Sequence, residues 1–154
     1  MTKEILLVDD DPNDVELALT ALAEHGLADH VVVAWDGVEA MDYLYRRKRF
    51  ADREKADPHV VLLDLKMPRV NGLEVLRQIK GDDTLKGIPV VMLTSSRQEQ
   101  DLLESYALGV NAYVVKPVAF DEFSQQVGRI GQFWALANET PDTAQSCVQD
   151  QNLN

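Results

Sequence analysis

Short apolar segments alternate with amphipathic segments five times along the chain. The apolar segments are rich in β-branched residues and lack the alternation of a half-exposed strand, as expected of parallel strands covered on both faces. They span residues 5–8, 31–34, 60–63, 88–93 and 112–115. The segments between them repeat apolar residues every three or four positions, which predicts helices over 13–24, 37–49, 73–80, 99–108 and 120–137. We therefore expect an α/β, doubly wound (βα)5 three-layer sandwich with a five-stranded parallel sheet.

Capping residues predict where three of these helices begin. Asp11 precedes a proline, the residue favoured at the first helical position, and is expected to be the N-cap of the first helix. Asn71 and Ser96 each stand three residues before a glutamate, the spacing of a capping box. The last helix carries a single apolar stripe that predicts its core-facing side, formed by Phe120, Phe123, Val127, Ile130 and Trp134.

The composition narrows the class of protein further. A chain of 154 residues with 45% hydrophobic and 27% charged positions is typical of one globular domain. We place that domain at residues 3–137 and predict a flexible polar tail at 138–154. The net charge of −11 argues against nucleic acid and anionic membranes as partners. The single cysteine, Cys147, cannot form an internal disulfide and favours a cytoplasmic location.

Chemically active residues follow four of the five apolar segments. Asp9 and Asp10 follow the first, Asp64 the third, Thr94 the fourth and Lys116 the fifth. Singly, each has an ordinary reading as a turn, cap or loop residue, but parallel strands bind ligands beyond their carboxyl ends, where all five would converge. The three carboxylates and the ammonium leave a net charge of −2. Because clustered carboxylates repel, a divalent cation such as Mg²⁺ is expected among them.

These residues lie in motifs that resemble the receiver domain of bacterial two-component response regulators, the flavodoxin-like (CheY-like) fold. The motifs are LVDD at 7–10, LLDLKMP at 62–68 followed by NG at 71–72, VMLT at 91–94 and AYVVKP at 112–117. The spacings also agree, with 30 positions from Asp64 to Thr94 and 22 from Thr94 to Lys116. The resemblance covers residues 3–134.

The resemblance implies that Asp64 is the phosphoacceptor, taking a phosphoryl group from a sensor histidine kinase. It also implies that Asp9, Asp10 and Asp64 hold Mg²⁺, together with the backbone carbonyl of Lys66. Lys66 occupies a position that varies in the family and faces the phosphoryl site, where a cation is expected to affect dephosphorylation.

Three further residues acquire roles from the same resemblance. Lys116 is expected to contact the phosphoryl oxygens, and Thr94 and Tyr113 to form a switch pair. The Thr94 hydroxyl would move toward the phosphoryl group and Tyr113 would rotate inward, changing the face formed by the fourth helix, fifth strand and fifth helix. The peptide bond between Lys116 and Pro117 is expected to be cis.

A narrower resemblance points to the stand-alone response regulators of cyanobacterial and bacterial phytochromes. It rests on the segment DGVEAMDYL at 36–44, the long connection that follows it and the FW pair at 133–134. It implies a phytochrome kinase and a homodimer built on the fourth-helix to fifth-helix face, with Tyr113, Phe133 and Leu136 in the interface. Phe133 and Leu136 lie off the core stripe, so they either support the dimer or pack beneath the tail.

Two other functions are weighed against this signalling role. A phosphohydrolase of the haloacid dehalogenase type also uses an aspartate nucleophile, but it needs a second aspartate two residues later, where this chain has Lys66. A silent receiver would keep the fold as a protein-binding module without being phosphorylated. All five site residues are present, so we expect an active receiver that catalyses only its own phosphotransfer and dephosphorylation.

Overall fold

The computed structural model describes residues 4–53, 56–95 and 97–138. The strands are β1 (Ile5–Val8), β2 (Val31–Ala34), β3 (Val60–Leu63), β4 (Val90–Thr94) and β5 (Ala112–Val115). The helices are α1 (Pro12–Glu24), α2 (Gly37–Leu44), α3 (Gly72–Gly81), α4 (Glu99–Ala107) and α5 (Phe120–Gly131). In these ranges no helix is both long and apolar enough to cross a bilayer. The tail predicted at 138–154, with Cys147, lies almost wholly outside the described residues.

All five strands are parallel and lie in the order β2-β1-β3-β4-β5, the order of flavodoxin and CheY. Successive residues of β1 point to opposite faces: Ile5 and Leu7 pack under α1 and α5, whereas Leu6 and Val8 pack under α2 and α3. Burial on both faces explains why the strand segments are continuously apolar. The predicted doubly wound α/β fold is confirmed.

The predicted caps hold at two of the three helix starts. The Asp11 carboxylate accepts a hydrogen bond from Asn13 N at 2.9 Å, and the Asn71 side chain accepts from Glu74 N at 3.0 Å. At α4 the N-cap is Gln98, without a side-chain cap bond. The Ser96 cap is therefore wrong as a helix start, and Ser96 itself lies outside the described residues. β4 also begins two residues later than predicted, at Val90.

The second helix ends at Leu44, five residues before its predicted end. Arg46 has a left-handed backbone with φ of 55°. The Arg47 N–H donates to Asp42 O at 2.8 Å and the Arg46 N–H to Tyr43 O at 3.2 Å, which closes a Schellman motif. A helix cannot continue through a left-handed residue, and here that residue is an arginine rather than the usual glycine.

The last predicted helix is two elements rather than one. The α-helical turns end at Gly131, and Gln132–Ala137 continues as a π-helix, closed by the Asn138 N–H donating to Phe133 O at 2.7 Å. The wider turns shift the side chains, so the buried residue of this segment is Ala135, while Trp134 is half-buried. Phe120, expected in the core stripe, is 43% exposed, so that part of the prediction is wrong.

Candidate functional site

Four parallel strands end at one edge of the sheet and place the predicted residues there. Asp9 follows β1, Asp64 follows β3, Thr94 ends β4 and Lys116 follows β5. The backbone continues the sheet for one more residue, because Asp64 N donates to Val8 O at 2.9 Å and Lys116 N donates to Thr94 O at 2.8 Å. The side chains therefore project from a rigid edge rather than from free loops.

Three carboxylates meet at this edge. Oxygen atoms of Asp9, Asp10 and Asp64 lie within 4.8 Å of one another. Asp9 is 4% exposed, Asp64 is half-buried and Asp10 faces solvent. A cluster of oxygen donors that is open on one side suits a hard divalent cation that keeps some of its waters. The residues present therefore fit a divalent metal site.

The Lys116 ammonium lies between three carboxylates. Its Nζ is 2.9 Å from Asp9 Oδ2, 2.9 Å from Asp14 Oδ2 and 4.0 Å from Asp64 Oδ1, and its side chain is 10% exposed. Asp14 was missed by the sequence analysis, and it makes this edge one charge more negative than predicted. Its position in the first turn of the helix that begins at this edge is the signal that would have found it.

Burial perturbs the titration of the central groups. The pKa of Asp64 is raised to about 6, mainly by burial and further by the Asp9 charge, although Lys116 opposes the shift. The pKa of Asp9 is also raised, chiefly by burial. Burial acts to lower the pKa of Lys116, but Asp64, Asp9 and Asp14 outweigh it and hold that pKa above its usual value. The ammonium therefore stays charged, whereas the Asp64 carboxylate is costly to ionise without a further cation.

The two predicted switch residues occupy different places. Thr94 is fully buried, and its side chain already hydrogen-bonds to the Asp64 carboxylate. Tyr113 is half-buried on β5, opposite Met92, and packs against the core cluster to which Met92 belongs. The peptide bond between Lys116 and Pro117 is trans, so the predicted cis bond is wrong. Trans is the lower-energy isomer of an X–Pro bond.

A cavity of about 420 Å³ opens beside the carboxylates. Asp10 and Lys66 line it together with Met67, Asn71 and Asp101. Lys66 is exposed and shares the lining of this cavity with Asp10. The cavity therefore adjoins Asp10, the exposed member of the carboxylate cluster.

The start of α3 holds the Asp64 backbone in place. Leu65 N donates to Asp64 Oδ1 at 2.9 Å, and Gly72 N donates to Leu65 O at 2.7 Å. A Cβ atom added at Gly72 would lie 2.3 Å from the Asp64 carbonyl oxygen. Only glycine permits this approach of helix to strand end.

We expect Gly72→Ala to destabilise the protein by about 1–3 kcal/mol, because the clash is with backbone that cannot rotate away. Urea unfolding measures the loss. Gly81→Ala in the same helix is the matched control: its added Cβ meets open space, so it should leave stability unchanged or raise it. Equal effects of the two substitutions would contradict this interpretation.

The residues expected at a dimer face are partly exposed. Phe133 is 53% exposed and Leu136 is 48% exposed, and the Phe133 ring meets Trp134 edge-on with centroids 5.0 Å apart. The exposure of both side chains in the described part of the chain agrees with the apolar surface predicted there.

The family model described as the response regulator receiver domain matches residues 5–128. The probable methanogenesis regulatory protein FilR2 of Methanothrix harundinacea is 37% identical over 140 residues, which are 91% of this chain and 88% of that protein. Response regulator Rcp1 of Synechocystis is 36% identical over 132 residues, which are 86% of this chain and 88% of Rcp1.

Solved structures of response regulators are also similar to this chain. The phosphorylated cyanobacterial phytochrome response regulator RcpA superposes with a TM-score of 0.84 at 40% identity, covering 92% of this chain and 99% of RcpA. The bacteriophytochrome response regulator AtBRR superposes with a TM-score of 0.72 at 59% identity, covering 90% of this chain and 99% of AtBRR. A structure of Rcp1 in its Mn²⁺-bound form is also similar, with a TM-score of 0.80 at 34% identity, covering 90% of this chain and 99% of that chain.

Proposed function

This chain belongs to the response regulator receiver domain family, and we propose that it accepts a phosphoryl group from a sensor histidine kinase on Asp64. One observation carries the proposal: the Asp64 carboxylate is the point where the acidic cluster, the Lys116 ammonium and the Thr94 hydroxyl converge. Receiver-domain response regulators are signalling proteins, and we assign no reaction to this chain beyond its own phosphotransfer and dephosphorylation. The cytoplasmic location expected from composition stays a prediction.

In this transfer the protein supplies one nucleophile, the Asp64 carboxylate, and otherwise acts by positioning and charge neutralisation. An Asp64 carboxylate oxygen attacks phosphorus, the new O–P bond forms as the N–P bond of the kinase phosphohistidine breaks, and the bonding pair returns to the imidazole. Because the transferred group is nearly free in the transition state, catalysis comes from positioning and charge neutralisation. The Lys116 ammonium is the cation nearest to this charge among the described contacts of Asp64, with its Nζ 4.0 Å from Asp64 Oδ1.

We assign Mg²⁺ to the site, held by Asp9, Asp10, Asp64 and the backbone carbonyl of Lys66. The oxygen donor set supports this assignment, as does the Mn²⁺-bound form of the similar protein Rcp1. When bound, the ion supplies positive charge to the phosphoryl oxygens. The protein contributes the cluster itself, with Asp9 buried and Asp10 open to solvent.

The signal is expected to leave the site through Thr94 and Tyr113. Thr94 is already bonded to Asp64, so the new phosphoryl oxygens would compete for its hydroxyl. Movement of Thr94 frees space for Tyr113 on the neighbouring strand, and the surface of α4, β5 and α5 changes. This surface is then read by a downstream protein or a further phosphotransfer partner.

The test of this function is phosphoryl uptake from acetyl phosphate, followed by intact-mass and peptide mass spectrometry. We expect one added phosphoryl group on the peptide containing Asp64 when Mg²⁺ is present. No phosphoryl group should be added when the metal is chelated before the donor is supplied. A protein that stays unmodified with acetyl phosphate and with cognate kinases would instead be a silent receiver.

We further propose a phytochrome kinase as the upstream partner and a homodimer as the working form. The similarity to RcpA and AtBRR, both phytochrome response regulators, supports the kinase. The half-exposed Phe133 and Leu136 supply apolar surface beside the α4–β5–α5 face, and Tyr113 lies on the strand of that face.

We expect light scattering to report a dimer that Phe133→Lys with Leu136→Lys converts to a monomer, because two buried charges would oppose apolar contact. Trp35→Lys is the control, since Trp35 is an exposed apolar residue just after β2, the sheet edge opposite β5, and its replacement should leave the dimer intact. A wild-type monomer with and without phosphodonor would remove the dimer from the proposal.

A further inference from the structure

We propose that Asp14 is a positioning residue that holds the Lys116 ammonium in the resting protein and competes with the phosphoryl group for it. The proposal rests on phosphorylation of Asp64 as proposed above. Asp14 lies outside the group of three carboxylates that could hold a metal ion within the described chain, so its contact is with the cation of the site.

The hydrogen bonds of Lys116 favour Asp9 and Asp14 over Asp64. An ammonium has three N–H donors. One is taken by Asp9 Oδ2 and one by Asp14 Oδ2, both at 2.9 Å. Asp64 Oδ1 is 4.0 Å away, beyond hydrogen-bond distance. The ammonium is therefore hydrogen-bonded to Asp9 and Asp14 and not to Asp64, the residue that is phosphorylated.

Local structure fixes Asp14 in this position. Asp11 N donates to Asp9 Oδ1 at 3.0 Å, and the Asp11 carboxylate caps α1 by accepting from Asn13 N. These bonds tie the first turn of α1 to the end of β1. Because Asp11 already caps the helix, Asp14 is not needed as a cap, and its carboxylate reaches Lys116 across 102 positions of sequence.

Phosphorylation changes the balance around Lys116. A phosphoryl group adds negative charge and acceptor oxygens at Asp64. To bind them, the ammonium must move away from Asp14, which then keeps its negative charge beside a more anionic site without its partner. Asp14 therefore favours the unphosphorylated state, while its charge favours the metal ion.

These two effects have opposite signs, which makes the proposal testable by binding alone. Calorimetry is to measure Mg²⁺ affinity and then, at saturating Mg²⁺, the affinity for beryllium trifluoride, a phosphoryl analogue. For Asp14→Asn we expect Mg²⁺ to bind about threefold more weakly, because one partly screened negative charge is lost. We expect beryllium trifluoride to bind about fivefold more tightly, because the Lys116 ammonium is no longer held by Asp14. Glu16→Gln removes the same charge from the solvent side of α1 and should change neither constant.

A merely structural role for Asp14 would loosen the first turn of α1 and weaken both ligands together, which would overturn the proposal. An unchanged beryllium trifluoride affinity would also overturn it. The tighter binding should disappear when Asp14→Asn is made in a Lys116→Ala background, and its persistence there would show that Asp14 does not act through Lys116. A wild-type protein that takes up neither beryllium trifluoride nor phosphoryl groups would instead overturn the proposed function.

Discussion

Asp64→Asn is expected to abolish phosphoryl uptake and to make the metal-free protein more stable. The loss of uptake follows because the amide has no carboxylate oxygen to attack phosphorus. The gain in stability follows because the Asp64 carboxylate is half-buried beside Asp9 and ionises with difficulty. The Asp64 carboxylate, on which the proposed function depends, therefore lowers the stability of the metal-free protein.

The sign and pH range of this gain come from the pKa of Asp64. That pKa is raised in the folded protein from 3.8 to about 6, so the folded state holds this proton more tightly than the unfolded state does. The stability contributed by the proton is present below pH 3.8 and is lost as the pH rises through 6. At pH 7 without metal, Asp64→Asn should therefore raise the free energy of unfolding by roughly 1–3 kcal/mol.

Urea unfolding in a chelating buffer at several pH values measures this gain. The difference between variant and wild type should be small near pH 4, grow toward pH 6 and then level off, and Mg²⁺ should reduce it by stabilising the wild type. Asp29→Asn is the control, because Asp29 is exposed and distant from the sheet edge. A variant that is less stable than wild type at pH 7 without metal would contradict the assignment of Asp64 as a strained carboxylate.

Lys116→Ala is expected to have the largest effect on stability. It leaves Asp9 and Asp14 without their ammonium partner and removes the nearest cation from Asp64. Breaking a buried ion pair by removing one partner costs about 3–5 kcal/mol, because the remaining charge stays buried without compensation, and here that charge is the Asp9 carboxylate. We also expect phosphoryl uptake to slow by about a hundredfold, since the transition-state charge loses one of its neutralising groups.

The same unfolding experiment in chelator and in Mg²⁺ tests this prediction. Mg²⁺ should restore more stability to Lys116→Ala than it adds to the wild type, because the ion replaces part of the missing positive charge. Lys86→Ala is the control: Lys86 pairs with Asp83 at 3.2 Å on the surface and should contribute less than about 1 kcal/mol. Equal losses from the two lysines would mean that the ion pairs of Lys116 do not stabilise the fold.

The sheet edge could be predicted because its residues adjoin their strands in sequence. Asp64 and Lys116 each come directly after a strand, so recognising the strands was enough to place them at one edge. Helix ends were less predictable. The end of α2 depends on the left-handed backbone of Arg46, a residue type that carries no such signal.

The sequence by itself determined the parallel sheet, the helix starts at Asp11 and Asn71, and the set of carboxylates at the strand ends, because each follows from short-range periodicity or from adjacency. Only the tertiary structure decided that Asp14 shares the ammonium of Lys116 and that Phe120 faces solvent. Both outcomes depend on how helices pack against the sheet, an arrangement of residues far apart in sequence. Local patterns specify which elements form, whereas the packing of those elements decides which side chains meet.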